Sequence, residues 1–327
     1  MLSNEEIFSS DIPFETKAAA LFRNQASQNR LYRRFLTNLG ISPNSDLNLH
    51  RYPLLPIRAF RERRVTTSEK PPKLLFKSSG TQSMKRSVHE IFDLELARKA
   101  AVQGFEQFYP GTPVVWAYTP GYLEYRESSL VWMLQQLIDR DPQNLSRFIP
   151  LGQPLDKGQM ASAADSNRQL ILFGAAFGLL DLIELEKVKL PTGSVVIETG
   201  GMKTRRREIG RDELHSRLAD GFGIPREDIH SEYGMCELLS QAYSTEGGWF
   251  RTTATMRVTI HDGDDPLKIC RPGQEGRIGV VDLANRDSCS FVLTGDRGVA
   301  DENGRFQVLG RWSPEDMRGC NFLIDRD

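Results

Sequence analysis

The order of apolar and polar positions along the chain divides it into three stretches of different texture. Residues 1 to about 50 carry apolar side chains at mixed three- and four-residue spacing, which predicts helices over 17–27 and 29–39. A proline-punctuated connector follows at 46–56, and 58–64 is a basic piece expected to be exposed. From there short apolar runs alternate with helical patterns. Residues 94–109 place Leu96, Ala100, Phe105 and Phe108 near one helix face. Residues 114–118 form a buried strand ending at Thr119-Pro120-Gly121, and 128–138 a helix opening after polar residues. The pattern recurs as a strand at 169–173 with a helix at 177–185, then a strand at 193–198 with a helix at 212–222. Strands alternating with helices predict an α/β fold whose sheets are mostly parallel and flanked by helices. After Tyr243 the texture changes to short β segments at 258–261, 277–282, 290–293 and 305–309, a smaller antiparallel part. The expected division is a helical region at 1–60, an α/β core at 61–243 and a β-rich subdomain at 244–327.

Composition narrows this little further. The 327 residues suffice for one large or two modest domains, and 39% hydrophobic with 26% charged residues is ordinary for a globular protein. Lys+Arg 42 against Asp+Glu 43 leaves a net charge of -1, which argues against a nucleic-acid binder. The acidic N-terminal sequence has no basic-then-apolar signal pattern, and no apolar run is long enough to span a bilayer, so a cytoplasmic location is expected. The four cysteines, Cys236, Cys270, Cys289 and Cys320, are widely spaced without a metal-ligand pattern. The oligomeric state, monomer or homo-oligomer, is left open.

Four segments carry candidate chemistry, since ligands of open α/β sheets gather where strands end. The first, Ser78-Ser79-Gly80-Thr81-Gln82-Ser83, follows an apolar run and precedes Lys85 and Arg86. Small hydroxyl residues and a glycine can turn backbone N–H groups into a phosphate cradle, although an ordinary polar turn has the same composition. The second is Thr199-Gly200-Gly201-Met202-Lys203, where paired glycines admit a flat ligand and Lys203 can reach a phosphate or carboxylate. The third holds Tyr233, Gly234, Cys236 and Glu237: a ring for stacking and a hard oxygen donor suited to Mg²⁺, or else packing and a solvated face. The fourth, Thr294-Gly295-Asp296, reads as a turn presenting one carboxylate to a sugar diol. His89 could polarise a carboxylate or cap a helix, and the small and aromatic residues of 173–178 could wall an acyl channel or pack a core.

In this order, with Gly310-Arg311 after them, the segments resemble the acyl-adenylate-forming enzymes. Longer blocks narrow the resemblance: GYLEYRESSLVWM (121–133), ILFGAAFGLLDLIE (171–184), ETGGMKTRRREIGRDELH (198–215), HSEYGMCELLSQAYS (230–244), VVDLANRDSC (280–289) and LGRWSPEDMRGCNFLI (309–324) look like the LuxE-type acyl-protein synthetases. The resemblance implies the fold of the large N-terminal domain of adenylate-forming enzymes, with ATP and Mg²⁺ as cofactors. It implies activation of a carboxylic acid, a fatty acid in this family, to acyl-AMP with release of pyrophosphate, followed by transfer to an enzyme cysteine and on to an acyl-CoA-type reductase. Carried over by position, Ser78, Ser79, Gly80 and Thr81 bind the phosphates, Tyr233 stacks on adenine, Glu237 holds Mg²⁺, Asp296 binds the ribose and Arg311 lies near the nucleotide. Lys85, Arg86 and Lys203 are the cations available for phosphate, and Gly200, Gly201, Gly234 and Cys236 line the nucleotide loops.

The sequence departs from the family at three places. Gln82 and Ser83 replace a second threonine and a second glycine, and Cys236 stands where a threonine usually donates to the α-phosphate. The chain ends at Asp327, so the mobile C-terminal domain of the larger enzymes is expected to be absent. Cys320, between Arg318-Gly319 and Asn321, is the expected acyl carrier, with Cys236 its rival and Cys270 and Cys289 read as packing. Transfer to coenzyme A or a carrier protein without an acyl-enzyme is the alternative. A degenerate member that binds nucleotide or acyl ligand, or scaffolds a reductase, is the third reading.

Overall fold

The computed structural model describes residues 1–45, 47–79, 85–119, 125–185, 188–200 and 209–312. Contacts group the chain into two compact units, Met1–Ala100 with Met235–Ser240 and Arg251–Asp327, and Ala101–Gly234 with Gln241–Phe250. The N-terminal helices share the first unit with the β-rich part.

The second unit is the α/β layer. Its sheet runs in the order Ala242–Glu246, Ile229–Tyr233, Val195–Thr199, Leu170–Ala175, Val114–Tyr118 and Arg147–Ile149. All neighbours pair in parallel except Ala242–Glu246, which runs antiparallel to Ile229–Tyr233. Continuous runs such as Val195-Val196-Ile197 suit strands buried on both faces, where helices cover the sheet. On one face lie Lys157–Asp165, Ala176–Leu185 and Arg211–Phe222, packing Met160, Leu179 and Leu218 around Trp116, Leu172 and Val196. On the other, Phe105, Leu134 and Leu137 meet Val115, Phe173 and Ile197. Each fully buried Leu or Phe contributes about 1.5–3 kcal/mol relative to exposure. The run 173–178, offered as a channel wall, packs here: Phe173 and Ala176 are core, and a Cβ at Gly174 would lie 3.0 Å from Leu179.

The first unit joins helices Phe14–Gln28 and Arg30–Asn38 to an antiparallel sheet of Met256–His261, Gly276–Asp282, Phe291–Ala300 and Phe306–Arg311. The smaller antiparallel part expected after Tyr243 is this sheet. Buried Gln25 fixes a helix to it, donating to the carbonyls of Asn285 and Arg286 and accepting from the Ser290 N–H. Phe22, Tyr32 and Tyr52 surround Phe291 at centroid distances of 5.9, 5.8 and 4.7 Å.

Several expectations change. The basic piece at 58–64 contains a short helix, Ala59–Glu62, whose Ala59 and Phe60 are buried, so it is anchored rather than merely exposed. Thr294-Gly295-Asp296 is not a turn but the middle of strand Phe291–Ala300, because the Thr294 hydroxyl donates to the Ile278 carbonyl and Asp296 sits opposite Arg311. Lys157–Asp165 and Arg147–Ile149 were not foreseen, the helix being Ala-rich without apolar periodicity and the strand only three residues long. Among the described residues no helix is long and apolar enough to cross a membrane.

Candidate functional site

The Ser-Gly segment connects two antiparallel strands, Leu74–Lys77 and Val88–Ile91, rather than a strand and a helix. Its stem is closed by the Ser78 N–H donating to the Ser87 carbonyl at 3.1 Å and the Ser87 N–H donating to Ser78 Oγ at 3.0 Å. Arg86 folds back on that stem, donating to the Ser78 and Lys77 carbonyls at 2.6 and 3.2 Å, and Lys85 Nζ reaches the Glu62 carbonyl at 3.4 Å. Arg86 braces backbone here, while Lys85 stays exposed. Gly80, Thr81, Gln82, Ser83, Gly201, Lys203 and Cys320 lie outside the described residues.

Three residues distant in sequence share a neighbourhood in the same unit. Asp296 and Arg311, directly opposite across two strands, form an ion pair at 3.5 Å. Arg311 is 73% exposed, so the pair itself adds little stability. Glu237 is 6% exposed, and burial raises its carboxyl above the ordinary value. A hydrogen bond from the Ser87 side chain and the charge of Arg311 pull it down, while Asp296 pushes it up. Glu237 thus senses the stem of the Ser-Gly hairpin, Asp296 and Arg311 together.

Glu237 could contribute one oxygen ligand to a divalent cation such as Mg²⁺. Mg²⁺ commonly takes one or two carboxylates and completes its shell with phosphate and water oxygens. Among the described residues no group of three or more His, Cys, Asp or Glu side chains could hold a metal alone. A buried carboxyl raised by desolvation becomes a good anionic donor once a dication offsets that cost.

Cys236 is unsuited to carrying an acyl group. It is 7% exposed, and burial, reinforced by the neighbouring Glu237, pushes its thiol far up and suppresses the thiolate. Its sulfur lies 4.0 Å from the Ser87 carbonyl. Cys289 is fully buried and pushed up to about 12, and Cys270 is buried as well, in keeping with packing roles. His89 is neither on a helix cap nor exposed. It lies on strand Val88–Ile91 at 1% exposure, with Nδ1 3.0 Å from the Cys236 carbonyl and Nε2 2.9 Å from Ser288 Oγ. Burial lowers its pKa to about 4, so the ring is neutral. Facing a carbonyl, Nδ1 carries the proton, and Nε2 accepts from Ser288.

In the α/β unit, Gly200 follows strand Val195–Thr199 with φ 73°, a conformation favouring glycine. Tyr233 ends strand Ile229–Tyr233 and is 8% exposed, its ring edge-on to Phe250 at 6.0 Å. Gly234 leaves room for the Glu232 carboxyl, which an added Cβ would meet at 2.3 Å. Glu232 accepts from the Thr199 hydroxyl and is raised to about 7 by burial. Glu232, Asp282, Asn285 and Ser288 stand inside the longer sequence blocks, with nothing in the local pattern to single them out. The exception is the carboxylate inside Val280-Val281-Asp282-Leu283-Ala284, because a buried charge demands partners.

No family model matches the chain. Its fold aligns with an open conformation of 2-hydroxyisobutyryl-CoA ligase, in complex with 2-HIB-AMP and CoA, at TM-score 0.60 and 14% identity over 90% of this chain and 73% of that one. The likeness is one of fold, a large sheet flanked by helices. ATP-bound MatB from Rhodopseudomonas palustris aligns at TM-score 0.51 and 14% identity, over 74% of this chain and 49% of MatB. In sequence, 126 residues are 28% identical to the human mitochondrial acyl-coenzyme A synthetase ACSM2A, covering 32% of this chain and 22% of that protein. The chain thus spans about half of MatB and matches a smaller part of the synthetase.

Proposed function

We propose that this protein activates a carboxylic acid with ATP. A carboxylate oxygen attacks the α-phosphorus, the bond to the β-phosphate oxygen breaks, and acyl-AMP and pyrophosphate form. Little covalent help is needed if charge is neutralised and the in-line geometry is held. The observation that carries the reading is the convergence of Glu237, Asp296 and Arg311 beside the Ser-Gly stem, within a fold shared with adenylate-forming ligases. In this reading Glu237 holds Mg²⁺, whose charge offsets that of the phosphates. Ser78, Ser79, Gly80 and Thr81 receive the phosphates with Lys85 and Lys203, Asp296 takes the ribose hydroxyls, and Tyr233, Gly200, Gly201 and Gly234 border the adenine.

The acyl group then passes to a thiol, which attacks the acyl carbon as AMP leaves with the electron pair and the thiol proton is released. Cys320 is the proposed acceptor, as the resemblance to acyl-protein synthetases implies, with a fatty acid as substrate and an acyl-CoA-type reductase as the onward partner. A second reading, coenzyme A as direct acceptor, is favoured by the neighbouring ligase complexed with 2-HIB-AMP and CoA. Carboxylate-dependent exchange of labelled pyrophosphate into ATP, across acids of graded length, tests the first step. Exchange with at least one acid is expected. No exchange with any acid refutes carboxylate activation, and no nucleotide binding by calorimetry refutes the nucleotide site as well.

A further inference from the structure

The block VVDLANRDSC has no part in the chemistry above, yet its polar residues converge on the backbone around Glu237. Asp282, fully buried, accepts through Oδ2 from the N–H groups of Leu239 and Ser240, both at 2.9 Å, and through Oδ1 from Ser240 Oγ at 2.7 Å. Asn285 Nδ2 donates to the Glu237 carbonyl at 2.8 Å and to the Cys289 carbonyl at 3.2 Å. Two carbonyl acceptors fix that amide's orientation, since its oxygen could not face them. Ser288 orients His89, whose other nitrogen donates to the Cys236 carbonyl. Backbone groups of residues 236, 237, 239 and 240 are therefore each held by a buried side chain.

We propose that Asp282, Asn285 and Ser288, with His89, are positioning residues that hold the 236–240 backbone so that Glu237 meets the divalent cation in one geometry. The inference rests on Glu237 being the cation ligand in the function proposed above. Three buried side chains supply these four tethers, and they grip the backbone on both sides of Glu237. They suit a donor whose placement sets cation affinity, and loss of such outer partners commonly costs about 10–100-fold in metal affinity.

The test uses Asn285→Asp, which turns a carboxylate oxygen against two carbonyls, and the milder Ser288→Ala, which releases His89. ATP binding is measured by calorimetry with and without Mg²⁺, pyrophosphate exchange is followed against Mg²⁺ concentration, and each variant's thermal transition is recorded. Both variants are expected to bind Mg²⁺-free ATP as the parent does, to lose most of the Mg²⁺-dependent gain, and to need about tenfold more Mg²⁺ for half-maximal exchange. A merely structural role lowers the active fraction and leaves the Mg²⁺ midpoint where it was, and that result overturns the inference. If Asn285→Asp loses its cooperative transition, Ser288→Ala decides alone by the same criterion. Should the parent bind Mg²⁺–ATP but exchange with no acid, carboxylate activation fails and the binding arm still judges the positioning role. Absence of Mg²⁺-dependent ATP binding by the parent overturns both.

Discussion

At the scale of single residues, a buried group's charge state follows from whether its surroundings can replace water. Glu232 is buried, with the Thr199 hydroxyl as a donor and the charge of Glu198 nearby, so it holds its proton to about 7 rather than the ordinary 4.5. The unfolded chain releases that proton near 4.5. Its contribution to stability is therefore full below pH 4.5 and lost as pH rises through about 7. A shift of this size corresponds to a loss on the order of 3 kcal/mol. Glu232→Gln keeps an acceptor for Thr199 without the ionisation. Its melting temperature relative to the parent is expected to rise between pH 5 and pH 8, and a difference independent of pH would contradict the assignment. His89 runs the other way, since its depressed pKa contributes stability above 6.5 that is lost as pH falls through about 4. The Glu232→Gln comparison isolates the carboxyl because the histidine is common to both proteins.

At the scale of elements, the contact between helices Ala176–Leu185 and Arg211–Phe222 turns on Gly221. An exposed helical Gly→Ala change gains about 1 kcal/mol in propensity. Here an added methyl would lie 2.6 Å from Ile183 Cγ2 and 2.7 Å from its Cβ, and the Cβ cannot rotate away. Gly221→Ala is expected to destabilise by about 1–3 kcal/mol as the helices are forced apart, read as a lower denaturant midpoint. A raised midpoint would show that propensity wins. Such close approaches are not written in local sequence, which is why helix 211–222 was legible and its spacing was not. The strands at 114–118 and 195–199 were legible because β-branched runs suit a two-sided core. Asp296 was misread because Thr-Gly-Asp carries turn composition, whereas a partner strand kept it extended. The tethers from Asp282 and Asn285 span more than 40 residues, 48 for Asn285 to Glu237, and no periodicity marks pairings of that length. Glu237 and Asp296 were singled out by residue type within their segments, whereas Arg311 and the grouping of the three came from resemblance.

Over the whole molecule, the distribution of thiols makes the acyl-transfer proposal measurable without knowing the acid in advance. Alkylation proceeds through the thiolate, so a buried thiol with a raised pKa reacts slowly in the native state. Cys236, Cys270 and Cys289 are all buried, and burial pushes each thiol up. If Cys320 carries the acyl group, it must be the accessible one. Iodoacetamide at neutral pH is then expected to modify Cys320 first in the native protein, with the other three following only on unfolding, as peptide mapping would show. Preincubation with ATP, Mg²⁺ and a competent acid should protect Cys320, and hydroxylamine should restore its reactivity by cleaving a thioester. Rapid native labelling of Cys236 or Cys289 would contradict their burial. Labelling of Cys320 unchanged by turnover, while pyrophosphate exchange proceeds, would move the acceptor off the enzyme and favour coenzyme A. The same labelling experiment thereby separates an acyl-protein synthetase from a ligase that uses an external thiol.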